Sequence, residues 1–132
     1  MRQLVLLISV LGSLVLHAGS PALSSPVIRV DMNEFAFRPS VIRLTAGVPT
    51  AIEFTNRGQI AHQFDAPILR RAFVTVIDDS MQVEATGLEF VRVQPRGRAR
   101  LRFLIRTRGR FPFACTIEGH AEAGMVGVLD VR

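Results

Sequence analysis

From Val27 onward the apolar positions recur at every second residue rather than at a helical spacing. In "VIRVDMNEF" Ile28, Val30 and Met32 share one face, as a half-buried strand requires. "SVIRLTAGVPTAIEFTNRG" reads as two strands broken at Ala46-Gly47, the second closed by the turn residues Asn56-Arg57-Gly58. "AFVTVI", "LEFVRV" and "ARLRFLIR" follow as strands, separated by Asp78-Asp79, by Gly87 and by "QPRGR". In the last of these, Arg98, Arg100 and Arg102 fall on one face and Ala99, Leu101 and Phe103 on the other. "RFPFAC" and "MVGVLDVR" complete the pattern, joined by a loop. No stretch of this part holds a helical period, and short strands with frequent turns predict an all-β sandwich or barrel. Between Ile68 and Gln94 the pattern is weakest, leaving room for a short helix or a long loop.

The N-terminus is patterned differently. Arg2 precedes the apolar run Leu4 to Leu16, which is followed by the small and turn-forming residues of "HAGSPALSSP". A basic start, an apolar stretch and a small-residue zone form a secretory signal, predicted here over residues 1–22 with cleavage after Ala22 or Ser24. The alternative is an uncleaved anchor, since the run extended to Leu23 nearly spans a bilayer. With no cysteine near the cut, a lipid anchor on cysteine is excluded. What remains, residues 23–132, is the length of one domain.

Composition changes the picture in two places. All basic residues are arginine, and the formal charge of +5 drops by one unit when Arg2 leaves with the signal. An exported chain without Trp, Tyr or a recognised nucleic-acid motif is not expected to bind nucleic acid. The chain also has a single cysteine, Cys115, so no internal disulfide forms even in an oxidising compartment. A free thiol there is prone to oxidation unless it is buried or used.

The loop "FACTIEGHAEAGMVG" places Cys115, His120 and Met125 at even intervals, with Gly119 and Gly124 free to let the chain curl. Once His17 goes with the signal, His62 is the one other histidine. Taken singly, a cysteine is ordinarily a small buried hydrophobe and a strand histidine an ordinary polar residue. Taken together, a thiolate, two imidazoles and a thioether are soft or borderline donors that select copper, as in His2Cys sites with a weak methionine. Zinc fits less well, because a structural zinc takes four firm ligands. A single thiolate excludes a dinuclear centre that needs two bridging ones. No histidine is left for a second, catalytic copper, and no G-x-S-x-G is present, so an enzyme is not expected.

"NEFAFRPSVIRLTAGVPTAIEFTNRGQIAHQF" and "GRFPFACTIEGHAEAGMVGVLDV" resemble the two halves of a cupredoxin. Within that family the chain is similar to the small blue-copper proteins of the plastocyanin, pseudoazurin and auracyanin group. The resemblance covers residues 27–64 and 94–131. It implies a Greek-key β-sandwich or barrel of the cupredoxin type and one copper ion. His62, Cys115 and His120 would be strong ligands and Met125 the axial one. One departure is Gln63, where several members carry an asparagine or serine that hydrogen-bonds near the cysteine.

The resemblance further implies a mononuclear type 1 copper protein, monomeric, carrying single electrons in the periplasm. The alternatives are a copper-trafficking or copper-sensing protein on the same fold and a metal-free interaction domain. Electrons would pass through an exposed edge of His120, ringed by Ala121, Ala123, Gly124 and Val126. A transient redox partner would dock there. The arginines from Arg92 to Arg110 read first as an ordinary solvated face, and second as a basic stripe steering a partner with an acidic surface, or anionic lipid head groups. Membrane contact otherwise requires the N-terminal segment to stay in place.

Overall fold

The computed structural model describes residues 25–132, and the expected signal segment lies outside them. Eleven strands and one 3-10 turn make up the described chain. β1 (Val27–Asn33) forms a hairpin with β2 (Ala36–Arg38), then come β3 (Val41–Leu44), β4 (Thr50–Asn56) and β5 (His62–Phe64). The 3-10 turn Pro67–Arg71 leads to β6 (Phe73–Asp78), β7 (Gln82–Thr86), β8 (Val91–Val93) and β9 (Arg98–Phe103). β10 (Gly109–Ala114) and β11 (Val126–Val131) end the chain.

The strands sort into a six-stranded sheet in the order β2-β1-β4-β9-β6-β7, a three-stranded sheet β10-β11-β3 and the pair β5-β8. Two neighbouring pairs, β1 with β4 and β11 with β3, are parallel. Their inward side chains merge in one core, so the chain is an all-β sandwich. The alternation read in β9 is met residue by residue, with Ala99, Leu101 and Phe103 buried and the three arginines exposed. Arg100 is hydrogen-bonded to Glu53 on β4, its cross-strand partner.

Two strands depart from the pattern expected of the sequence. "VIRVDMNEF" turns back at Glu34 rather than continuing, which creates β2. The second lies within the uncertain stretch: β7 runs along the sheet edge with most of its side chains in solvent, so it shows no apolar alternation. That stretch also contains the 3-10 turn, tied by the paired guanidinium and carboxylate of Arg70 and Asp65.

The core beneath one end of the sandwich is aromatic. Phe37 meets Phe113 edge-on at 5.1 Å, and Phe64 lies 4.9 Å from Phe113 and 4.8 Å from Phe54 between ring centroids. All four rings are buried. Burying each contributes about 1.5–3 kcal/mol, and edge and tilted pairs add about 0.5–1.5 kcal/mol each. Phe64 stands two residues after His62 and Phe113 two before Cys115, so this packing holds the strands that carry both residues.

A candidate copper centre

His62 is brought into position by a buried asparagine. Asn56 ends β4, and its side-chain amide donates to the carbonyls of Ile60 at 2.8 Å and Val93 at 3.0 Å. Its side-chain oxygen accepts the Gly58 N–H at 2.9 Å. The turn after β4 is thereby folded and pinned to β8, and β5 begins at His62 paired with Val93. Just beyond β5, Asp65 and Ala114 exchange two backbone hydrogen bonds of 3.0 and 2.9 Å, which sets β5 beside the end of β10. Cys115 follows there.

The loop from Cys115 to Met125 closes on itself through its backbone. The Cys115 N–H donates to the Met125 carbonyl at 2.9 Å, and the Met125 N–H to the His120 carbonyl at 3.0 Å. Gly119 and Gly124 adopt φ of 79° and 105°, left-handed values that a side chain would strain. The spacing read from the sequence is thus the spacing of a single closed turn.

Cys115, His62 and His120 meet in the interior. One donor atom of each lies within 4.8 Å of the others, and all three residues are buried. His120 Nδ1 is 3.2 Å from Cys115 Sγ, and the two imidazole rings are 5.3 Å apart. Met125 is fully buried in the same loop. Among the described residues neither ring nitrogen of His62 has a hydrogen-bond partner, although the residue is inaccessible to solvent. An imidazole desolvated without partners is costly. Burial first, and the neighbouring His120 second, hold the His62 pKa below its ordinary value. Its ring is therefore neutral at pH 7, with a lone pair to offer. A buried thiol and two imidazoles, with donor atoms within 4.8 Å of one another and a lone pair on His62 unpartnered among the described residues, match the needs of a soft, N- and S-loving metal ion.

Gln63 resolves the departure noted in the sequence. Its backbone N–H reaches Cys115 Sγ at 3.3 Å, and its side-chain oxygen accepts a 2.8 Å bond from the Thr116 hydroxyl. The sulfur thus has its N–H donor, and the glutamine side chain ties the two ligand-bearing segments together. His120 differs from expectation in its surroundings. It is 7% exposed, and Phe35, at the tip of the β1–β2 hairpin, packs edge-on against it with centroids 4.8 Å apart. Ala123, Gly124 and Val126 are exposed around it and Ala121 half-buried. No role at the site was read for Glu34 or Phe35 from the sequence; the break in alternation at Asn33-Glu34 was the one trace of the turn that brings them here.

The sandwich with a buried His-Cys-His cluster at one end defines a protein built around a single copper ion. The sequence matches the Cupredoxin-like domain family over residues 4–128, and the chain belongs to that family. It is 32% identical over 119 residues to the copper-resistant cuproprotein CopI of Rubrivivax gelatinosus, covering 86% of this chain and 71% of CopI. Auracyanin from Roseiflexus castenholzii shares the fold at a TM-score of 0.56 and 16% identity, over 82% of this chain and 98% of auracyanin. A multicopper oxidase from Campylobacter jejuni superposes at a TM-score of 0.65 and 17% identity, over 85% of this chain and 31% of the oxidase. The chain thus spans about a third of that enzyme.

Proposed function

We propose that the protein is an exported, mononuclear type 1 copper protein that carries single electrons. His62, Cys115 and His120 would hold the ion, with Met125 as the weak fourth donor. The carrying observation is the buried cluster of three donors with an unpartnered His62. Copper, when bound, supplies a one-electron couple between Cu(I) and Cu(II).

The chain's own residues supply the rest. Backbone closure of the Cys115–Met125 loop limits how far the donors move when charge changes. The Gln63 N–H draws electron density from the sulfur. The aromatic core excludes water from below, and the edge of His120 beside Phe35 is the path outward. The apolar rim of Ala123, Gly124 and Val126 suits transient docking of a redox partner, and the arginine-rich strand suits one with an acidic surface. Val126→Asp is the variant to probe that rim.

Adding Cu(II) to the purified protein tests the reading. An intense visible charge-transfer band that is lost in Cys115→Ser is expected. A colourless protein without copper uptake would overturn it. The resemblance to a protein named for copper resistance favours a second reading, copper trafficking. That reading predicts tight Cu(I) binding with slow electron self-exchange, whereas a carrier exchanges electrons rapidly.

A further inference from the structure

Glu34 lies in the β1–β2 turn, 28 positions before His62 in the chain, yet its carboxylate oxygen Oε1 stands 3.8 Å from His62 Nε2. That oxygen also accepts the backbone N–H groups of Gln59 and, at 3.2 Å, of Ile60. The carboxylate occupies the space beside Gly58 where a side chain would begin: a Cβ added there would overlap Glu34 Oε1 and come within 2.7 Å of its Cδ. The seat for this group is thus built from a glycine and two amides. It opens onto the histidine whose two ring nitrogens are unpartnered.

We propose that Glu34 is a positioning residue for His62, selecting the tautomer and the orientation in which it binds copper; this rests on the copper reading above. A carboxylate facing Nε2 favours the proton there, because the neutral ring is then a donor toward it. The lone pair is left on Nδ1, the only other ring nitrogen. At 3.8 Å the pair is an electrostatic contact, and closing it by less than about 1 Å yields a hydrogen bond. Carboxylates behind metal-bound histidines fix ring orientation and raise basicity, and losing one lowers metal affinity by about 10- to 100-fold. The negative charge also stabilises the more positive oxidation state of a nearby ion.

Because Phe35 packs on His120, two consecutive residues of one turn address the two histidines separately. The role of Glu34 is separable from its hold on the turn, since a glutamine oxygen still accepts the Gln59 and Ile60 amides, though more weakly than a carboxylate.

The test is made first on the metal-free protein, by nitrogen-15 NMR of the His62 ring at a pH where it is neutral. The Nε2–H tautomer is expected; a predominant Nδ1–H tautomer overturns the proposal. Glu34→Gln is then compared with the parent. It is expected to lower the thermal midpoint of the metal-free protein only slightly while weakening Cu(II) binding by about 10- to 100-fold and raising the reduction potential. Unchanged Cu(II) affinity and potential would leave Glu34 as a turn brace only and overturn the assignment. If the parent binds no copper, the electron-carrier reading falls, and the tautomer measurement still decides for or against Glu34.

Discussion

The backbone N–H of Gln63 points at the sulfur of Cys115 from 3.3 Å, so the residue following one histidine donor is bonded to the thiol donor. Its side chain is held in turn by Thr116, the residue following that cysteine. Thr116→Val keeps the shape and removes that tie, leaving Gln63 Oε1 without its donor. A loss of about 1 kcal/mol is expected, or a drop in Tm of about 4–6 °C for a domain of this size. Calorimetry of the metal-free protein checks it. An unchanged Tm would mean that the two segments hold together without this bond.

Met125 is the weak donor of the proposed copper site, and Met125→Leu isolates that role. Leucine has nearly the same volume, so the fully buried position should cost less than about 1.5 kcal/mol. Losing the thioether removes a donor from the copper, and the reduction potential is expected to rise. Voltammetry of the copper-loaded variant against the parent is the measurement. Equal potentials would remove Met125 from the ligand set.

Gly127 supports the site from one strand away. A Cβ at this position would strike the ring of Phe113 and the carbonyl of Ser40. Phe113 is packed against Phe37 and Phe64, so a shift of its ring disturbs the aromatic core. Gly127→Ala should therefore destabilise the protein by about 1–3 kcal/mol through overpacking. Urea unfolding reads this directly. A smaller cost would show that Phe113 can shift without loss.

Acid should weaken the sandwich through His62 and through carboxylates paired with arginines. The Arg100 side chain holds the Glu53 pKa below its ordinary 4.5, and Arg132 does the same for Asp130. A carboxyl with a depressed folded-state pKa contributes its stability above the unfolded value and loses it as pH falls through the folded one. Tm should thus begin to decline below about pH 6.5, where the unfolded chain protonates His62 and the folded one resists it, and decline further below about pH 4.5 as these carboxylates protonate. Arg100→Gln should flatten that decline slightly, by a few tenths of a kcal/mol, since the pair is solvent-screened. Parallel pH profiles for variant and parent would assign the decline to other groups.

How much of this was legible beforehand depends on where each interaction lies in the chain. Cys115, His120 and Met125 share one loop, so their spacing alone displayed them. His62 was reached because few histidines compete for the role. β9 was plain because one of its faces is buried and the other is not. β7 was missed because an edge strand in solvent buries too little to leave a pattern. Glu34 was missed for a different reason. Its link to His62 arises where a hairpin tip folds over a turn formed three strands later, and local periodicity carries no record of such a meeting. Gln63 stood out as unusual in the sequence, yet the bond it makes to the sulfur comes from the backbone, which any residue but proline provides.

The loop that joins Cys115 to Met125 has one more implication. It is braced by backbone hydrogen bonds, Cys115 to Met125 and Met125 to His120, so its shape is specified by the chain. The receptacle is then ready as soon as the polypeptide has folded.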